Sequence, residues 1–233
     1  MRIALLCPTR KRRNEVNRLI GSLERTANMD NIMLYLGIDS DDNTYNNINK
    51  RPWITELDMG DGENFIGIGQ LWNKIMKSVP DEILGMCNDD YTYETKGWDE
   101  EVLKEFSVLP DDKMKFVYFN DLYAAPQLGV VNFIHREYYD KLGYYAREDY
   151  RHAFQDTWLH DVYRRMGRDK YREDIIAPHL HYSNPVAGKG VDSTSQRLLE
   201  TWGKGEWQKA MDDFNDWGPK RQAEADFLLG KTV

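Results

Sequence analysis

The chain has 233 residues, with 31 Lys and Arg against 39 Asp and Glu, a formal net charge of −8 that argues against a surface gripping nucleic-acid phosphates throughout. Hydrophobic residues at 41% and charged residues at 30% fit a globular chain long enough for a substantial core, and no apolar run approaches a membrane span. The two cysteines, Cys7 and Cys87, each sit in an apolar run, which argues against a disulfide framework and for buried free thiols in a reducing, cytoplasmic compartment.

In chain order, "RIALLC" predicts a short buried strand stopped by Pro8; its apolar start is too brief for a signal peptide. A helix follows from about Arg12 to Ala27, with Val16, Leu19, Ile20 and Leu23 on one face. "NIMLYLGID" is a second strand closing on Asp39, and the polar "SDDNTYNNINKRP" is a loop. "WITELDM" is a weaker third strand. "IGIGQLWNKIMKSV" turns helical after Gly69, "EILGMC" is a fourth strand and "GWDEEVLKEFSVL" an amphipathic helix. Strands alternating with helices predict an α/β domain whose largely parallel sheet carries helices on both faces. Beyond residue 115, "MKFVYFN" and "LGVVNFIH" read as strands and "EYYDKLG" as a short helix. "HAFQDTWLHDVYRRMG" reads as a longer helix capped by Gly167, and "YREDIIAPHLHYS" as a further strand. From residue 186 a Gly- and Ser-containing loop leads into a Trp-dotted helical appendage.

Ligands of an open parallel sheet bind at the carboxyl ends of its strands. Here the first strand ends in Pro8-Thr9-Arg10, the second in Asp39 with Asp41 and Asp42 following, and the fourth in Asn88-Asp89-Asp90. Carboxylates gathered on one rim make sense if a divalent cation, with a diphosphate behind it, supplies the missing positive charge. "RKRR" at 10–13 places positive charge where a helix N-terminus disfavours it, which suits an anion site. His152, Asp156 and His160 share a face of a continuous helix, and with His179 and His181 would offer zinc ligands; the absence of clustered thiols and the drift along such a face count against that reading.

In order and spacing these segments resemble the GT-A fold glycosyltransferases, and are most similar to glycosyltransferase family 2, over about residues 1–185. The resemblance rests on the "PTR" turn, the Asp closing the second strand, the Gly-containing helix with Asn73, and "NDD" in place of an Asp-X-Asp motif. It also rests on "GWDEEVL", "FIHREYYDKLGYY", "FQDTWLHDVYRRMG" and "PHLHYS". It implies a nucleotide-sugar half (1–110), an acceptor-side half (111–185) and a divalent metal cofactor, manganese or magnesium. Asp90 matches the metal-binding position, with His181 as its partner; Asn88 is a neutral substitute at the motif's first position. Pro8, Thr9, Arg10, Arg13, Asp39, Asn73 and Asp89 fall on the donor side, with Lys189 and Arg197 closing over the diphosphate. Trp98 and Arg136 fall on the acceptor side. Asp156 matches the catalytic base, with Asp149 as a rival that preserves the family's Glu-Asp pair. The implied activity is transfer from a nucleoside diphosphate-sugar, most simply UDP-linked, to a hydroxyl of a glycan, a small molecule or a modified nucleic-acid base. A nucleotidyltransferase would show a Gly-rich loop after the first strand, and "CPTRKRRN" has no Gly; a silent binding module would leave Asp156 no reason to be acidic.

Overall fold

The computed structural model describes residues 1–45, 48, 51–62, 67–188, 190–202 and 205–231. β1 (Ile3–Thr9), β2 (Ile32–Ile38), β3 (Ile54–Asp58) and β4 (Ile83–Met86) form the first part of the sheet, and β5 (Phe116–Asn120), β6 (Asn132–His135) and β7 (Asp169–Ile176) the second. The seven strands run in the order β3-β2-β1-β4-β6-β5-β7. All neighbours pair parallel except β6, which lies antiparallel between β4 and β5. The largely parallel α/β expectation therefore holds, with one reversed strand.

β1 shows why the first strand reads as an uninterrupted apolar run. Ile3, Leu5 and Cys7 enter one core cluster, while Ala4 and Leu6 enter the cluster on the opposite face, as the two-residue period requires. Helix α1 (Arg13–Thr26) covers the first face with Val16, Leu19, Ile20 and Leu23. Helix α2 (Ile68–Met76) covers the second with Trp72, Ile75 and Met76. The β1–β4 ladder ends at Leu6, so Pro8, which has no N–H to donate, extends β1 along β2 alone. This leaves the ends of β1 and β4 splayed apart.

Helix α3 (Trp98–Ser107) follows β4, and Trp98 corrects the acceptor-side expectation. It is fully buried, stacked on Tyr93 at 4.3 Å and packed against Phe119 and Phe133. Gly97 precedes it in the left-handed region (φ 78°), and the turn sends the indole inward. After α4 (Glu137–Leu142), α5 runs over Gln155–Met166. It starts three residues later than His152, which removes His152 from any shared face, and it places His160 in the core against Phe116. No group of three His, Cys, Asp or Glu able to hold a metal is found among the described residues.

The segment beyond residue 186 forms α6 (Ser193–Trp202), α7 (Glu206–Asp216) and α8 (Gly218–Leu228). α8 buries Ala225 and Leu228 and offers Glu224 to the Trp158 indole of α5 (3.2 Å) and to the Tyr138 and Tyr144 hydroxyls in and after α4 (2.8 and 2.5 Å). No helix among the described residues is long and apolar enough to cross a membrane.

Candidate active site

At the carboxyl end of β1 the chain turns sharply through Lys11, whose φ of 54° lies in the left-handed region. Asp42 accepts the Lys11 amide (2.5 Å), and the Tyr45 hydroxyl accepts the Arg12 amide (2.9 Å). Thr9 donates its single proton to Asp89 (2.7 Å), so in its contact with Tyr45 (2.6 Å) Thr9 is the acceptor. This turn aims Arg10 and Arg12 to opposite ends of the rim. Arg10 binds Asp39 (2.8 Å) and both oxygens of Asp41 (2.6 and 2.7 Å). Gly62 lies so close over this pair that a Cβ there would sit 1.9 Å from Arg10 Nη1 and would push the Arg10–Asp39 pair aside. Arg12 reaches Asp89 Oδ1 (2.9 Å) and Asp90 Oδ2 (3.8 Å).

Asp89 and Asp90 follow β4 and are each 4% exposed. Burial pushes the Asp89 carboxyl up to about 6, with the charge of Asp90 adding to the rise, against the lowering pull of Arg12 and Thr9. His179 Nε2 stands 3.3 Å from Asp90 Oδ1. Burial would lower the imidazole, but Asp90 and the more distant Asp121 and Asp156 outweigh it and hold His179 above its ordinary value. The expected partner His181 also lines the cleft, bonded to Ser183 Oγ (2.7 Å) and stacked on Tyr123. β7 ends at Ile176, and beyond it a single bridge pairs His179 with Tyr91, which seats His179 beside Asp90.

Asp156 lies in the first turn of α5, after Phe154 in the left-handed region (φ 67°). It is partly open to the cleft and accepts from the Thr157 amide (2.8 Å). Burial raises its pKa, while Thr157 and His179 pull the other way. Asp149 pairs with Arg147 on the exterior, away from the cleft.

These ends enclose a cleft of about 570 Å³. Among the residues singled out from the sequence, it is lined by Pro8, Thr9, Arg10, Asp39, Asp89, Asp90, Asp156, His181 and Arg197. Three others stand elsewhere. Arg13 donates to the Thr44 carbonyl (2.8 Å) on the outer side of the turn. Asn73 is a buried clamp, accepting the Tyr145 and Ala146 amides (2.8 and 3.0 Å) and donating to the Ala146 carbonyl (2.8 Å). Arg136 bonds the Val79 carbonyl and pairs with Asp140 at the far end of the sheet, where β4 begins. Lys189 lies outside the described residues. Sequence reasoning preferred His181 to His179 and did not single out Arg12, yet among the described residues Arg12 and His179 are cationic groups that touch the Asp89-Asp90 pair; their signals were "RKRR" and the doubled histidine of "PHLHYS".

The donor set fits a divalent ion that draws most of its ligands from elsewhere. Asp90 and His179 offer one carboxylate and one imidazole side by side, a mixed pair suited to manganese, and diphosphate oxygens and water would complete the shell. The charge balance supports this. Arg10 and Arg12 are each paired with carboxylates, so a diphosphate entering the cleft must either displace one of those partners or bring a cation with it.

The sequence matches no family model and no curated protein. The fold matches solved glycosyltransferases. S. aureus TarS 1-349 in complex with UDP superposes with a TM-score of 0.57 at 12% identity, over 76% of this chain and 60% of that one. The same protein in complex with UDP-GlcNAc gives 0.56 at 13%, over 85% and 64%. The mannosyltransferase PcManGT from Pyrobaculum calidifontis, in complex with GDP-Man and Mn2+, gives 0.60 at 14%, over 97% and 69%. The chain thus has the fold of these enzymes and spans about 60% of the TarS 1-349 chain.

Proposed function

We propose that this chain is a metal-assisted glycosyltransferase that moves a sugar from a nucleoside diphosphate donor, UDP-linked in the simplest case, to a hydroxyl acceptor with inversion. The observation that carries the reading is the placement of Asp90, His179 and Asp156 around one cleft at the carboxyl ends of β1 and β4. The neighbouring structures support it, since they hold UDP, UDP-GlcNAc, and GDP-Man with Mn2+ in the same fold.

In this reading Asp39, fixed by Arg10, accepts from the base or ribose of the donor. Asp90 and His179 are the residues that would hold the ion, which when bound neutralises charge on the departing diphosphate. Asp156 takes the proton from the acceptor hydroxyl as that oxygen bonds to the anomeric carbon and the bond to the diphosphate oxygen breaks on the opposite face. A single displacement of this kind inverts the anomeric centre. The raised pKa of Asp156 makes it a stronger base than an exposed aspartate. The acceptor approaches past Tyr123 and Trp207, two aromatics 46% and 38% exposed at the mouth. The two buried free thiols fit a reducing, cytoplasmic setting.

The test is calorimetric titration of UDP, GDP, CDP and ADP, each with manganese and with EDTA. One diphosphate should bind well only with manganese. Absence of binding by all four, with and without metal, would overturn the assignment.

A further inference from the structure

The Arg12 guanidinium meets three carboxylates in the cleft. Its Nη1 edge holds Asp89 and approaches Asp90. Its Nε and Nη2 fork holds both oxygens of Asp192 (2.9 Å each), and Nη2 also donates to Ser195 Oγ (2.9 Å). Asp192 is at the same time the N-cap of α6, accepting the Ser195 amide (2.7 Å). One side chain thus ties the acidic pair behind β4 to the start of α6. The residues it secures, Thr194, Ser195 and Arg197, form one wall of the cleft. The strap is also tied by Thr194 Oγ1 to the Arg10 carbonyl (3.2 Å) and by Arg197 to the Gly62 carbonyl (3.1 Å).

Resting on the proposed donor chemistry, we infer that Arg12 is a latch that exchanges Asp192 for the donor's diphosphate, so that donor binding frees the strap formed by residues 190–197. The exposures of its partners decide which arm lets go. The Asp89 side chain is 6% exposed, and stripping its guanidinium would strand a buried charge. The Asp192 side chain is 28% exposed and can rehydrate when released, keeping its capping bond to Ser195. A phosphate of the donor's diphosphate, whose anionic oxygens accept a guanidinium fork as well as a carboxylate does, replaces Asp192 with no change at Asp89. Residue 12 therefore selects for phosphate, and the latched strap sets a cost on admitting any ligand that cannot take over the fork.

The exchange gives opposite signs for two substitutions. Asp192→Asn keeps a capping oxygen but loses its grip on Arg12. It should tighten binding of the preferred nucleoside diphosphate about two- to fivefold, and it should speed tryptic cleavage after Arg197 in the ligand-free chain. Arg12→Gln should weaken the same binding about tenfold or more. Arg12→Lys, which retains the charge beside Asp89 without the fork, should fall between and controls for folding. Calorimetry and limited proteolysis supply both readouts without turnover. Wild-type binding with Asp192→Asn unchanged or weaker overturns the latch and leaves the transferase assignment standing. No diphosphate binding to any of the four chains overturns both.

Discussion

Two groups of aspartates stand at the rim around the cleft, and in the sequence they look alike. Asp39, Asp41 and Asp42 follow β2; Asp89 and Asp90 follow β4, and α5 brings Asp156 beside them. Their surroundings differ. Arg10 and the Gly62 amide hold Asp41 well below the usual carboxylate range, and the Thr44 and Lys11 contacts outweigh the burial of Asp42. Asp39, the innermost of the three, is raised by burial against the pull of Arg10. On the other side burial lifts both Asp89 and Asp156. The first group is mostly satisfied by the chain itself. The second is buried deeply enough that its carboxylates are raised even with Arg12 and His179 beside them, which is the condition a cation and a reacting hydroxyl can exploit. Residue type alone does not separate a structural carboxylate from a functional one; solvation and countercharge do.

The largest effect that follows belongs to Asp156. Asp156→Asn should lower kcat by about 10³-fold, a typical share for a general base, while diphosphate binding stays within about twofold. In the wild type the rate should climb with pH through a value above the ordinary aspartate pKa of 3.8, because the group must be ionised to accept the proton and burial has raised it. In the Asn variant that limb should vanish. Equal losses in kcat and in donor binding would assign Asp156 to the donor side and blur the distinction between the two groups.

Next in size are the ion-holding residues. Asp90→Asn should remove the manganese-dependent gain in diphosphate binding, a loss of about 100-fold, and His179→Gln should cost about tenfold. His181→Gln should leave that gain intact, since its ring bonds Ser183 rather than Asp90. If His181 and not His179 controls the metal effect, the β7 exit reorganises when the ion binds.

What was legible in the sequence follows the same physics. The apolar run of β1, the α1 face at Val16, Leu19, Ile20 and Leu23, and the rim position of Asp39 and Asp90 all follow from periodicity and strand ends. Trp98 was misread because a Trp after an acidic motif looks the same whether it points in or out. Its direction is set by Gly97 at positive φ and by the Tyr93 face awaiting it. Arg12 was hidden in a run of four basic residues because the turn that aims it depends on Lys11 at φ 54°, a conformation that a lysine does not advertise. The choice between His179 and His181 depended on where β7 ends, and element boundaries are the least readable part of any pattern.

The smallest effect tests the comparison most directly. Asp41 is among the most acidic-looking features of the sequence, one of three aspartates within four residues. Its side chain is 32% exposed, and its work is to hold Arg10 in a two-pronged grip and to accept the Gly62 amide (3.0 Å). Solvent screens such a pair, and Asp39 retains Arg10 from the other side when Asp41 is lost. Asp41→Asn should therefore change diphosphate affinity by less than about fivefold, with the manganese-dependent gain preserved. The residual loss should fall on the nucleoside, because a loosened Arg10 positions Asp39 less well, so free diphosphate and nucleoside diphosphate should respond differently. A loss as large as that of Asp90→Asn, and equally metal-dependent, would mean that the β2 aspartates also meet the ion, and that burial is the wrong criterion for telling the two groups apart.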